Sequence, residues 1–239
     1  MLALERRLQD RYPHWFAGRR SRLVRPLLRG LQKWSGLDAL EAFLDASHEL
    51  RGFALVQAGM DFLQARYVVA PTPAECIPAR GRLLIVANHP SGALDALALL
   101  DCVGQVRRDV KIVANDFLWA LEGLRELLLP VRILGGAPSP ASVRAIEQAL
   151  EQEQCVIVFP AGEVSRLGWG GVADGRWRRG FTRFALRTAT PVLPVRIHAR
   201  NSALFYGASA LFKPAGTALL AREMFARRER RIALSLGRA

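Results

Sequence analysis

Leu83-Leu-Ile-Val-Ala-Asn-His-Pro-Ser-Gly-Ala-Leu-Asp-Ala-Leu-Ala-Leu-Leu100 reads as a buried strand, a tight turn and a helix in immediate succession. The run Leu83–Ala87 has the length and β-branched content of a strand buried on both faces. It stops at Asn88–Gly92, where turn formers cluster and Pro90 has no N–H to give a ladder. Ala93–Leu100 then has helical length and an Ala/Leu composition that favours helix. His89 at the end of the strand and Asp95 at the start of the helix are thereby held close together. In open α/β sheets, ligands bind at such carboxyl ends of strands. This corner is the candidate site.

The alternation continues downstream. Val110–Ala114 is a predicted strand, Phe117–Leu128 a helix, and Pro130–Leu134 a strand that ends at Gly135-Gly136. Ser139 can cap a helix from Ala141 to Gln152, and Cys155–Phe159 is another apolar strand. A Gly-rich loop, Pro160–Gly175, leads to a helix over Trp177–Arg187 and a strand over Val192–Ile197. A charged helix, Arg222–Arg230, precedes a last strand, Ile232–Leu236. Upstream, Asp38-Ala39-Leu40-Glu41 is an acidic capping box that opens a long helix to about Arg66. Pro71, Pro73 and Pro78 then make an extended connection. Strands alternating with helices predict an α/β layered fold, with a largely parallel central sheet flanked by helices and preceded by N-terminal helices. The expected organisation is a basic, amphipathic helical segment over residues 1–70 and an α/β domain over residues 71–239, in one unit.

Hydrophobic residues make up 51% of the 239 positions and charged residues 23%, which excludes a disordered chain. The net charge of +13 predicts an acidic partner: nucleic acid, an anionic membrane surface or an acidic carrier protein. Cys76, Cys102 and Cys155 have neither metal-like nor disulfide-like spacing and read as reduced thiols in a cytosolic setting. No stretch reaches the ~18 consecutive apolar residues of a membrane span. Met1–Arg7 has no apolar leader region. Residues 1–34 mix Arg6, Arg7, Arg11, Arg19, Arg20, Arg22, Arg25, Arg29 and Lys33 with Trp15, Phe16 and Trp34. Three readings fit: a helix lying on a membrane, an RNA-backbone binder, or a solvated basic face with a few core anchors.

A His titrates near ~6.5 and serves as a base when one nitrogen faces substrate and an acceptor holds the other. His89 and Asp95 suit that arrangement; Asp95 as a plain helix cap suits the spacing equally well. Ser91 is a weak nucleophile candidate. The second constellation is Phe159-Pro-Ala-Gly-Glu-Val-Ser-Arg166, again directly after a buried strand. The Gly162 amide, the Glu163 carboxylate and the Arg166 guanidinium can bind a polar head group, or Glu163 and Arg166 can form a surface ion pair. Arg132, inside an apolar strand, needs a carboxylate partner or an anionic ligand. His198, Arg200 and Asn201 follow a strand and gather near the same edge.

These blocks carry a resemblance. Asn-His-Pro-Ser-Gly-Ala-Leu-Asp, Phe-Pro-Ala-Gly-Glu-Val-Ser-Arg and Pro191-Val-Leu-Pro-Val195, in that order across residues 80–206, resemble the lysophospholipid (1-acylglycerol-3-phosphate-type) acyltransferase family. The nearest branch is the hemolysin-like or ornithine-lipid one. Five residues separate His89 from Asp95 where the common pattern has four, and Glu163 follows Gly162 rather than preceding it; both departures occur together in that branch. The resemblance implies that His89 is the general base and Asp95 its orienting partner. It implies that Gly162, Glu163 and Arg166 contact the acceptor's head group, and that Arg132 binds an anion.

The implied reaction moves a fatty acyl group from acyl-CoA or acyl-ACP to a lysophospholipid hydroxyl such as that of 1-acylglycerol-3-phosphate. Amides near Asn88 or Gly162 would stabilise the oxyanion. A lyso-aminolipid such as lyso-ornithine lipid is the alternative acceptor. A non-catalytic basic lipid- or nucleic-acid-binding protein is the alternative class. No metal or resident cofactor is expected. The expected partners are the lysolipid, the acyl carrier and an anionic membrane surface, with no nucleic acid, at the inner face of the cell membrane.

Overall fold

In the computed structural model, which describes residues 33–115, 121–131, 139–211, 213–225 and 231–238 with residues 26 and 30, the chain forms two units, Met1–Ala46 and Ser47–Ala239. The first contains α1 (Leu37–Ala46). The second begins with α2 (Gly52–Phe62), β1 (Arg66–Ala70) and a one-turn α3 (Pro73–Cys76). Then come β2 (Leu83–Ala87), α4 (Ala93–Gly104), β3 (Val110–Asn115), a 3-10 turn (Glu122–Leu127) and β4 (Leu128–Val131). Next are α5 (Pro140–Glu151), β5 (Cys155–Val158) and a hairpin of β6 (Arg166–Gly168) and β7 (Gly171–Ala173). The chain continues through α6 (Gly180–Thr188), β8 (Val192–His198), α7 (Ala203–Leu211), α8 (Lys213–Phe225) and β9 (Arg231–Leu236).

Seven strands form the central sheet in the order β1-β9-β8-β2-β5-β3-β4. All neighbours pair in parallel except β8 and β9, which are antiparallel. β2 sits in the middle because its residues are apolar on both faces: Leu83, Leu84, Ile85 and Ala87 are all 0% exposed. Leu83 and Ile85 pack with α4 and α2 residues such as Leu99 and Val56, whereas Leu84 and Val86 pack with Leu150 of α5 and Phe184 of α6. A parallel sheet covered on both faces needs this continuous apolar run.

The crossovers position the site. From β2 the chain passes over one face through α4 to β3; from β5 it returns over the other face through α6 to β8. The direction reverses between neighbouring β2 and β5, and at such a switch point the loops part and leave a crevice at the strands' carboxyl ends. The two motif-bearing turns, after Ala87 and after Val158, emerge side by side there. A third apolar cluster, Val164, Phe205, Tyr206 and Leu219, packs the β5 loop against α7 and α8.

Several local expectations are corrected. The single helix to Arg66 is α1, α2 and β1: Arg51 is extended (φ −131°, ψ 153°) and breaks the run. Arg66–Ala70 is an edge strand, completed by β9 far along the chain. The proline connection contains α3, with Pro73 in its first turn. Of the expected 117–128 helix, 122–127 is the 3-10 turn and 116–120 lie outside the described residues. The strand expected at 130–134 is β4, and 132–138 lie outside the described residues. The Gly-rich loop contains the β6–β7 hairpin. In place of a helix over 222–230, α7 and α8 occupy 203–211 and 213–225, and 226–230 lie outside the described residues. The Ser139 cap is present, its hydroxyl accepting from the Ser142 N–H at 3.1 Å.

Burial pushes the thiols of Cys102 and Cys155 up to about 12. A water-soluble disulfide reagent at mildly alkaline pH should therefore modify Cys76 alone in the native protein. All three cysteines should react once the chain is unfolded.

Candidate active site

Asn88 ends β2 by imitating one more rung of the ladder. Its side-chain amide donates to the Ile197 carbonyl at 2.8 Å, and its carbonyl oxygen accepts from the Ile197 N–H at 2.6 Å. The chain therefore leaves the sheet at a fixed point. The main chain of His89 is then clasped by the β5 loop: its N–H donates to the Asp174 carboxylate at 3.2 and 3.3 Å, and its carbonyl accepts from the Ser165 N–H at 2.8 Å.

The imidazole stacks on Phe159 with centroids 4.1 Å apart and planes 21° from parallel. Its Nδ1 lies 3.1 Å from Asp95 Oδ2. That is contact distance for an ion pair, but the nitrogen is buried and no acceptor is aligned with it. Catalytic hydrogen bonds are often loose before substrate arrives. The His89 side chain keeps 18% of its surface exposed, at atoms other than Nδ1.

Asp95 is fully buried, and its carboxylate is heavily committed. Oδ2 accepts from the Ser91 N–H at 2.7 Å and the Gly92 N–H at 3.0 Å, while Oδ1 accepts from the Ser91 hydroxyl. The N–H groups of the N-cap Gly92 and of Ser91 just before it are thus satisfied, and a carboxylate sits at the positive end of the helix. Gly92 is required here: its φ is +87°, and a Cβ would stand 3.4 Å from Val164. Helix cap and imidazole neighbour are realised by one carboxylate. Ser91 is 2% exposed with its hydroxyl spent on Asp95, which argues against it as a nucleophile.

The Gly162–Arg166 turn lies beside this corner. Arg166 Nε donates to Glu163 Oε2 at 3.1 Å, and a terminal nitrogen of Arg166 donates to Ser209 on α7. The ion pair is real and half-open, with Arg166 17% and Glu163 41% exposed. The Gly162 N–H donates to the Phe159 carbonyl at 3.0 Å. This corrects its expected availability to an oxyanion, because the turn itself uses the donor. Arg132 lies outside the described residues. Among the described residues no group of three or more His, Cys, Asp or Glu side chains is placed to hold a metal ion.

Asp174 was invisible to motif reading. Besides the His89 N–H, it accepts from the Ser165 hydroxyl and from Trp177 Nε1 at 2.9 Å, so one carboxylate joins the β2 turn, the β5 loop and the entry to α6. A lone Asp in a Gly-rich loop has no periodicity to mark it. The cleft beside it, about 560 Å³, is lined by Asn88, Pro90, Asp174 and Trp177 with Arg196 and Arg200, the chain neighbours of His89 rather than His89 itself.

A family model described as Acyltransferase matches residues 28–237. A lyso-glycine lipid O-acyltransferase of Phocaeicola vulgatus is 30% identical over 208 residues, which is 84% of this chain and 74% of that protein. One of the same description from Bacteroides thetaiotaomicron is 30% identical over 215 residues, 87% of this chain and 78% of that protein. A crystal structure of the 1-acyl-sn-glycerophosphate (LPA) acyltransferase of Thermotoga maritima superposes with a TM-score of 0.48 and 19% identity, covering 91% of this chain and 86% of that one.

Two substitutions separate the roles of Asp95. Asp95→Ala strands the Ser91 and Gly92 donors and should cost ~1–3 kcal/mol in denaturant unfolding. Asp95→Asn keeps an acceptor oxygen, so it should cost less stability while still removing the charge beside His89.

Proposed function

Because the chain belongs to the acyltransferase family, we propose that this O-acyltransferase moves a fatty acyl group from an acyl thioester to the hydroxyl of a lyso-aminolipid, with His89 as general base and Asp95 as its orienting partner. The observation that carries the assignment of the pair is the 3.1 Å approach of His89 Nδ1 to the fully buried Asp95 carboxylate. A carboxylate this close to Nδ1, tightening onto it when substrate arrives, leaves the other nitrogen, Nε2, to face the substrate.

In this reading Nε2 removes the acceptor's hydroxyl proton as the oxygen attacks the thioester carbonyl. The tetrahedral intermediate collapses with cleavage of the C–S bond, and the imidazolium returns the proton to the departing thiolate. Asp95 stabilises the transient imidazolium from a site whose dipoles are already fixed. Stacking on Phe159 and the clasp on the His89 main chain hold the ring in place, and positioning supplies most of the remaining acceleration.

The acceptor follows from two supports. The curated relatives are named for a lyso-glycine lipid. The Glu163–Arg166 pair presents both charges, which suits a head group carrying a carboxylate better than a phosphate, whose double charge Glu163 repels. A lysophospholipid such as 1-acylglycerol-3-phosphate is the second acceptor to be tested. Acyl-CoA and acyl-ACP both satisfy the donor chemistry.

No described helix is long and apolar enough to cross a membrane. Peripheral attachment to an anionic bilayer is proposed, supported by the +13 charge and by Trp169, fully exposed between β6 and β7 with Leu167 half-exposed beside it. The basic segment 1–34 is proposed as the principal contact. Its removal should lower flotation with anionic vesicles; equal flotation of the shortened chain would refute the assignment.

The central test is mass spectrometry of products from purified protein offered lyso-glycine lipid, lyso-ornithine lipid and 1-acylglycerol-3-phosphate with acyl-CoA or acyl-ACP. An O-acylated aminolipid is the expected product, and His89→Ala should cut turnover ~10²–10⁴-fold with the fold intact. Free fatty acid alone would indicate hydrolysis, and a fully active His89→Ala protein would remove the base from the scheme.

A further inference from the structure

β8 presents an unusual face. Val195 and Ile197 are buried, as the interior of a sheet requires, but the alternate positions Arg196 and His198 are exposed, and Arg200 continues the series just beyond the strand. In a sheet of this class both faces of an inner strand are normally covered. Here α5 packs on β4 and β5, and α6 packs on β2. Beside α6 the cleft of about 560 Å³ opens over β8, within the size range of small-molecule sites.

Its lining is cationic and aromatic. Arg196 and His198 come from β8, Arg200 from just beyond it, and Trp177 from the entry to α6. His198 Nε2 lies 3.1 Å from Ser235 Oγ on neighbouring β9, which holds the ring at the wall. Neither Arg196 nor Arg200 is paired with a carboxylate among the described residues. The one carboxylate in the lining, Asp174, is already covered by donors from His89, Ser165 and Trp177. Two free guanidiniums on one side of a strand, facing a cleft, are a phosphate-binding arrangement.

We infer that this cleft holds the phosphate of the acyl donor, with Arg196 and Arg200 as its ligands. The inference rests on the acyl-thioester reading above. A pantetheine arm joined through a phosphate ends both coenzyme A and an acyl carrier protein, so one phosphate chemistry serves either donor. That phosphate is separated from the thioester by the whole length of the arm. The cleft runs from the arginines to Asn88 and Pro90, the chain neighbours of His89, so an arm held at its phosphate end in the cleft leads toward the imidazole. The donor lies along β8 while the acceptor's head group is met at Glu163 and Arg166.

Three donors with the same acyl chain test this: acyl-pantetheine, acyl-4′-phosphopantetheine and acyl-CoA. The wild-type protein should favour the phosphorylated donors, and Arg196→Ala/Arg200→Ala should raise their KM roughly tenfold to a hundredfold. Its kinetics with acyl-pantetheine, and the KM of the lysolipid, should not change. The Arg196→Lys/Arg200→Lys variant should restore part of the preference, which separates a phosphate contact from a general loss of fold. An equal loss on all three donors, or a shift confined to the lysolipid KM, overturns the inference.

A binding arm needs no turnover. Coenzyme A should quench a fluorescence component that is absent in Trp177→Phe, and the double-alanine variant should abolish that quench. Quenching by lysophosphatidic acid but not by coenzyme A would place a lipid phosphate in the cleft instead and overturn the inference. If coenzyme A binds in this Arg-dependent way and no lysolipid is acylated, the proposed function fails and the phosphate site stands.

Discussion

One buried carboxylate organises the corner at the end of β2 on which the proposed chemistry depends. Asp95 has no access to solvent, and the donors around it replace the water it lost: two main-chain N–H groups, a hydroxyl and the positive end of α4. The charge is affordable in that position because the turn Pro90–Gly92 folds around it. The same arrangement leaves the carboxylate beside His89 Nδ1. The carboxylate that closes the helix is also the partner that the proposed general base, His89, requires, so in that proposal stability and reactivity share one group.

The sheet supplies the remaining constraint. Parallel strands send all their useful loops to one rim, and the reversal of crossover direction between β2 and β5 opens that rim where the two motif-bearing turns meet. Asp174 then ties the segment after β7 to the main chain of His89, and the apolar cluster of Val164, Phe205, Tyr206 and Leu219 presses the segment before β6 onto α7 and α8. Loops are ordinarily the mobile parts of a fold. Here they are anchored by polar and by apolar contacts, which suits the proposed site, where an acyl donor and an acceptor meet.

Much of this was legible in residue order. The run Leu83–Ala87 followed by Asn-His-Pro-Ser-Gly announces a central strand and a tight turn, and Ser139 ahead of Pro140 announces a capped helix, because each depends on neighbours in the chain. What could not be read depends on partners far away. Arg66–Ala70 becomes a strand only because Arg231–Leu236 pairs with it. The break at Arg51 is hidden under apolar spacing that runs through it. Asp174 shows no pattern at all until the fold places it under His89, and the Gly162 amide looked available until the turn closed on Phe159. Glu163 and Arg166 read in the sequence either as a surface ion pair or as a head-group contact, because spacing alone does not choose; the fold forms the ion pair and leaves it half-open.

The side chain of Asn88 occupies a rung that would otherwise belong to the main chain of β2, and it does so on Ile197, in the midst of the exposed β8 residues. That makes the sheet a measuring stick. The point at which the chain turns out of β2 toward His89 is therefore set against β8 by a side-chain rung, with Arg196 and His198 on either side of it, rather than by the slack of a loop.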